Sequence, residues 1–273
     1  MKNIKIGIAY HKKSLIIKND CYLPIQVGAS LHPDLDLGIS KDNTGDNISE
    51  KNDYYCELTA LYWLWKNVQA DYKGLCHYRR LFTYKYNIKY QLYNMLKPVQ
   101  GIRSHLFFSS PCIICENKNK FESDAEKTLR LIDKDLDKYE LICPKKQIEN
   151  RGSYWHFVVY GIEIMDILRG VIKESFPHYY NYIQYNEEPS SFYFGNMSVM
   201  KNDLFEEYCA FLFGVLERIE QILLGEGWYK DLHNEKVFSR KLGYFGEYLT
   251  DVFIRKKQDE KIKIKELYVS ILK

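Results

Sequence analysis

Apolar and polar positions along the chain switch between two periods. Ile4, Ile6 and Ile8 alternate with Lys5, Gly7 and Ala9, the period of two that marks a strand, ending at Tyr10-His11. From Ser30 to Asp53 the chain is polar and rich in Asp, Asn and Gly, which reads as a long functional loop rather than a linker. Asn52 or Asp53 is suited to cap a helix with Glu57 in its first turn. Leu58, Leu61, Tyr62 and Trp65 give that helix a broad apolar face. Asp71 to Cys76 returns to a strand and runs straight into His77-Tyr78-Arg79-Arg80. The pattern then predicts a charged helix over 122–138, a short buried strand over Tyr139–Pro144 and an amphipathic helix over Ile162–Lys173. A strand-like run from Phe192 to Met200, a long helix over Asp203–Leu224 and a last core helix over Phe245–Ile254 complete it. Strands alternating with helices predict an α/β layer architecture, with no internal repeat and no clear domain boundary.

Composition narrows the class. Hydrophobic residues at 46% and charged residues at 27% allow a real core. Tyrosine is abundant, at 24 residues, and offers flat faces for sugar or base stacking, although free use of Tyr, Lys, Ile and Asn is also the habit of AT-rich coding. A net charge of +3 is too small for a dedicated nucleic-acid binder. The excess gathers in a basic tail over about 255–273, which could lie on an anionic membrane surface or form a solvated strand and helix face. The seven cysteines, with no signal peptide ahead of them, point to a reduced cytoplasm. Cys112-Ile-Ile-Cys115 lacks the second pair of a zinc site and reads as a buried strand. No apolar run is long enough to span a membrane.

Candidate chemistry concentrates in a few places. Two adjacent Arg and a His directly after an apolar strand suit the ligand crevice at a strand's carboxyl end, where Arg79 and Arg80 would fork onto phosphate oxygens; a structural ion-pair cluster is the rival reading. The loop Asp42, Asn43, Thr44, Asp46, Asn47 could hydrogen-bond sugar hydroxyls or be a plain Asx-rich turn. Asp133, Asp135 and Asp137 have D-x-D spacing, but interleaved lysines and helical geometry make them a solvated helix face. Asn196 offers a donor and an acceptor to a hydroxyl pair. Glu247, near the start of the last helix, could deprotonate an acceptor hydroxyl or simply complement the helix dipole. Trp155 and His156 are candidate acceptor platforms or core residues.

The runs IGIAYHKK, YLPIQVGAS, DNTGDNISEKNDYYCELTALYWLWKN, YKGLCHYRRLF, NMSVMKNDLFEEYCAFLF and RKLGYFGEYLTDVFI occur in that order. Together they resemble the bacterial polysaccharide-biosynthesis family known as domain of unknown function 4422. The resemblance implies one glycosyltransferase domain over 1–273, with a GT-A-like mixed sheet flanked by helices. It implies inverting transfer of a hexose, galactofuranose above others, from a UDP-sugar to a lipid-linked or oligosaccharide acceptor of capsule or O-antigen synthesis. His11 and the 42–49 loop would face the nucleotide and donor sugar. Arg79 and Arg80, assisted by His77, would hold the diphosphate where related folds use a D-x-D and a metal. No cofactor is then required, while dependence on magnesium or manganese stays open. Glu247 would be the general base, with Asp46 in reserve; Trp155, His156 and Asn196 would meet the acceptor. A cytoplasmic protein with peripheral contact at the inner membrane fits this reading. The rival is a non-catalytic sugar-nucleotide-binding partner in polysaccharide assembly.

Overall fold

The chain was analysed as a computed structural model, which describes residues 2–96, 110–148, 162–185, 191–225 and 240–273. Its first half runs β1 (Ile4–Tyr10), β2 (Tyr22–Gln26), β3 (Ser40–Lys41), α1 (Asn52–Tyr55), α2 (Leu58–Asn67), β4 (Tyr72–His77), β5 (Arg80–Thr83), α3 (Ile88–Leu96), β6 (Cys112–Cys115) and α4 (Lys118–Asp135). The second half runs β7 (Leu141–Pro144), β8 (Gln147–Ile148), α5 (Ile162–Ser175), α6 (Tyr180–Tyr185), β9 (Ser191–Phe192), β10 (Ser198–Lys201), α7 (Asn202–Gly225), α8 (Lys241–Asp259) and β11 (Ile264–Leu272).

Nine strands form one mixed sheet, and β8 pairs with β9 separately. β1 lies between β2 and β4, parallel to both. β10 runs antiparallel to β4 and to β7. The alternation in β1 sends Ile4, Ile6 and Ile8 to the face covered by α4, where they join Phe121, Ala125 and Ile132. Ala9, Ile25 and Leu75 face the other side, under α2, α5, α7 and α8. This is the mixed α/β sheet flanked by helices that the resemblance implies.

Two elements differ from the sequence expectation, and a third settles between two readings. The helix expected from Asn52 is broken at Cys56, whose φ of 54° is left-handed. The Asn52 side chain stabilises the break by donating to the Cys56 carbonyl at 2.7 Å. The run from Phe192 to Met200 is not one strand: Gly195 and Asn196, at φ 84° and 42°, turn the chain out of the sheet between β9 and β10. The basic tail is the strand and helix of its second reading: the end of α8, then a last strand. Its last part is β11, inserted between β5 and β7 with Leu267, Val269 and Leu272 buried. Many of its charges are paired inside the fold: Arg255 with Asp251, Lys257 with Glu207 and Glu260, and Lys265 with Asp135. Alternating apolar residues from Ile264 onward outweigh the lysines between them, because burying them completes the sheet.

Gly74 marks the closest approach in the sheet. A β-carbon there would run into the Ser198 carbonyl oxygen and lie 2.9 Å from Val199 Cα, both backbone atoms of β10. Since neither strand can yield without breaking its ladder, Gly74→Ala is expected to destabilise the protein by about 3 kcal/mol or more. Urea unfolding of the two proteins, followed by circular dichroism, measures the difference.

Candidate active site

The parallel register of β1 and β4 pairs Ala9 with His77, so His11 and His77 emerge at the same carboxyl edge of the sheet. Tyr78 and Arg79 form the turn of a hairpin that sets Arg80 directly across from His77. The turn is held rigidly. The Tyr78 ring stands edge-on to His11 at 4.9 Å between centroids, and the Arg79 guanidinium lies 5.1 Å from the same ring. Arg79 is exposed and Arg80 half-buried, so both cations border the crevice opening.

The other wall is α8, with the segment 191–196 laid along it. Glu247, Asp251 and Arg255 recur every fourth residue and share one helix face. Arg255 Nη2 donates to the Ser191 carbonyl at 2.7 Å, and the Tyr193 N–H donates to Asp251 Oδ1 at 2.8 Å. One turn earlier the Gly195 N–H acts on the Glu247 carboxylate. The Gly195 carbonyl accepts from His77 Nε2 at 2.8 Å. A carbonyl only accepts, so His77 carries its hydrogen on Nε2. The buried Asn196 amide donates to Glu57 Oε1 at 2.8 Å and to the Gly243 carbonyl at 3.1 Å. Asn196 therefore organises the site from below and does not present its amide to an acceptor, as the sequence had suggested.

Two carboxylates meet cations here. Burial, and then the charge of Glu57, raise the Glu247 pKa to about 7, against the opposing pull of Arg80, the Gly195 N–H and Arg240. Glu57 Oε1 lies 3.8 Å from His77 Nε2. Burial lowers the His77 pKa, which keeps that imidazole neutral near pH 7. His11 is also held below its usual value, by desolvation and then by Lys12, Arg240 and Arg79. Arg240 is brought in by a left-handed backbone, φ 69°, with its N–H on the Asp53 carbonyl. It bonds the Cys56 thiol, which burial pushes up to about 12 and so keeps protonated.

The structure thus gathers His11, His77, Arg79, Arg80, Asn196 and Glu247. It does not gather the 42–49 loop. Asp42 is fully buried, with its carboxylate accepting from the Gly28 and Ala29 amides and the Ser49 and Thr59 hydroxyls. It ties the loop to β2 and α2 and has no capacity left for a sugar. Asp46 is bound to Asn67 and Tyr62, at the end of α2 remote from Glu57. The helix between them is about 15 Å long, so Asp46 is unsuited to act as a base at this site. Thr44 is held by Trp63 and Asn47 by Gly45, while Asn43 is exposed on the same loop. Trp155 and His156 lie outside the described residues.

Glu57, Gly195 and Arg240 were missed from sequence. Glu57 read only as a first-turn acid, Gly195 only as part of a strand end, and Arg240 belongs to no periodic pattern. Asp133 and Asp137 pair with Lys2, and Asp135 accepts from Tyr84, as a structural helix face would. The crevice residues do not fit a divalent cation. Arg80 and Arg240 act on the Glu247 carboxylate, the Asn196 amide holds that of Glu57, and His77 Nε2 is engaged as a donor.

Comparison with known proteins agrees with this architecture. The structure superposes on the apo form of the WbbM bifunctional glycosyltransferase with a TM-score of 0.79 and 27% sequence identity. The match covers 99% of this chain and 45% of the WbbM chain, so the protein spans less than half of that relative. No curated protein matches the sequence. The family model described as domain of unknown function (DUF4422) matches residues 5–258, and the chain belongs to that family.

Proposed function

We propose that the protein is an inverting glycosyltransferase that moves a hexose from a nucleotide-sugar donor to a polysaccharide acceptor. The observation that carries this reading is a carboxyl group, Glu247, poised near neutral pH beside Arg80 and Arg240 at the carboxyl edge of the sheet. The likeness to a bifunctional glycosyltransferase chain supports it. A UDP-sugar, and galactofuranose as its sugar, follow from the sequence resemblance, as does a role in capsule or O-antigen synthesis. Among the described residues no helix is long and apolar enough to cross a membrane.

In this reading the donor diphosphate lies against Arg79, Arg80 and Arg240. An acceptor hydroxyl attacks the anomeric carbon as the bond from that carbon to the diphosphate oxygen breaks. The electron pair leaves on the diphosphate, where fixed guanidinium charge stabilises it. The hydroxyl proton passes to Glu247. His77 stays neutral and holds the Gly195 carbonyl, which keeps the Gly195 N–H aimed at the carboxylate that takes the proton.

Glu247→Gln keeps the shape of the side chain and removes the base. Transfer is expected to fall by about 10²-fold or more, with donor affinity in calorimetry unchanged. A loss under tenfold would exclude the role.

The pH dependence has a defined sign. Glu247 works as a base only when deprotonated, so the rate should rise with pH through an inflection near 7. The Glu57 charge contributes to that raised value, so Glu57→Gln should move the inflection to lower pH. An unmoved inflection would mean that another group titrates.

Because guanidinium groups take the place of a metal in this site, transfer should survive in excess EDTA. Arg79→Gln/Arg80→Gln should weaken UDP binding in the same buffer.

A further inference from the structure

A second cationic feature lies one turn farther along α8. Lys145 and Lys146 leave the end of β7, which runs in the same direction as β4 because both pair antiparallel with β10. They therefore reach the sheet edge that carries His77. Both are half-buried. Lys145 Nζ stands 5.2 Å from the centre of the Tyr268 ring, and Lys146 Nζ 5.0 Å from that of Tyr193. Among the described residues neither ammonium forms an ion pair or donates a hydrogen bond.

The nearby acids are already engaged. Asp251 accepts from Arg255 Nε and the Tyr193 N–H, and Glu266 Oε1 accepts from the Tyr193 hydroxyl at 2.5 Å. Burial, and then the Arg255 charge, hold the Lys146 pKa below its usual value against the attraction of Glu266 and Asp251. Lys145, Lys146 and Arg255 outnumber Asp251 and Glu266 by one positive charge, an excess in a half-buried place that a bound anion would balance.

Their position relative to Glu247 suggests which anion. Tyr193, under Lys146, is bonded to Asp251, and Asp251 follows Glu247 by one helical turn, about 6 Å of rise. Arg240 is at the opposite, N-terminal end of the helix. The proposed base thus separates two cationic regions, one for the donor diphosphate and one on the far side.

We propose that Lys145 and Lys146 form a second anion subsite, which binds a phosphate or diphosphate group carried by the acceptor. The acceptor assignment rests on the transferase reading above; the anion subsite itself does not.

Inorganic pyrophosphate is the probe, titrated calorimetrically into the full-length chain. In an Arg79→Gln/Arg80→Gln/Arg240→Gln background, which removes the three cations assigned to the donor, pyrophosphate should still bind. Adding Lys145→Gln/Lys146→Gln should then weaken it by at least about tenfold, the scale of charge-assisted hydrogen bonds. Lys145→Arg/Lys146→Arg should retain binding. No pyrophosphate binding in the first background, or equal binding with and without the lysines, would overturn the subsite.

In transfer assays the Lys145→Gln/Lys146→Gln protein, with all three arginines intact, should show a KM raised about tenfold for an acceptor ending in a phosphate or diphosphate ester. Its kcat, and its KM for a matched neutral acceptor, should be unchanged. An equal rise for the neutral acceptor, or a rise confined to a carboxylate-bearing one, would refute the phosphate assignment. Pyrophosphate bound through the lysines with no sugar transfer to any acceptor would refute the transferase reading and leave the subsite in place.

Discussion

The site depends on how the backbone from Ser191 to Asn196 is fastened to one face of α8. Beyond its short pairing with β8 this segment has no ladder partners for its amides and carbonyls, and burying them unpaired would cost several kcal/mol. Here the helix supplies those partners in sequence. Arg255 takes the Ser191 carbonyl, Asp251 the Tyr193 amide and Glu247 the Gly195 amide. The same fastening creates the chemistry, because a carboxylate that must reach a buried backbone amide is drawn out of water. Glu247 and Asp251 are thereby equivalent in geometry, and burial raises the pKa of both, but their partners differ. Asp251 is neutralised by Arg255 in direct contact. Glu247 feels its nearest cations without an ion pair among the described residues, together with a second carboxylate, and is left near its titration point.

The cations are fixed by devices that do not involve one another. Arg80 is set by hairpin register, Arg79 by the Tyr78 ring, and Arg240 by a left-handed backbone anchored on the Asp53 carbonyl. Fixed charge of this kind needs no reorganisation when a ligand's charge develops beside it, which distinguishes it from flexible surface lysines. The break at Cys56 belongs to the same design: it sets Glu57 beside Asn196 and packs the thiol close against Gly243, where a β-carbon would lie 3.1 Å from the sulfur.

Much of the fold was legible in the sequence, because period-two and period-3.6 patterns report burial directly. The isoleucines of β1, the apolar face of α2 and the long stripe of α7 all lie where their spacing placed them. His77, Arg79 and Arg80 stood out because cations after an apolar strand have few structural uses. The misreadings share a cause. Asp42 looked like a ligand group because polarity does not reveal that four hydrogen bonds within the chain consume a carboxylate. Glu57 and Arg240 escaped notice because only tertiary contact, between positions 57 and 240 of the chain, brings them together. The tail stayed open between two readings because net charge is a property of a segment, whereas burial is decided residue by residue along β11.

The place of β11 also constrains the order in which the molecule can fold. It is the strand that joins β5 and β6, from the first half of the chain, to β7. Until residues 264–272 have been synthesised, those three strands lack their common partner and present open edges. The β1–β2–β4 half can form early from contacts close in sequence. The remainder must wait for a pairing between distant segments, the slow, aggregation-exposed step in mixed β topologies. During that interval β5, the strand that begins at Arg80, lacks the partner on its open side.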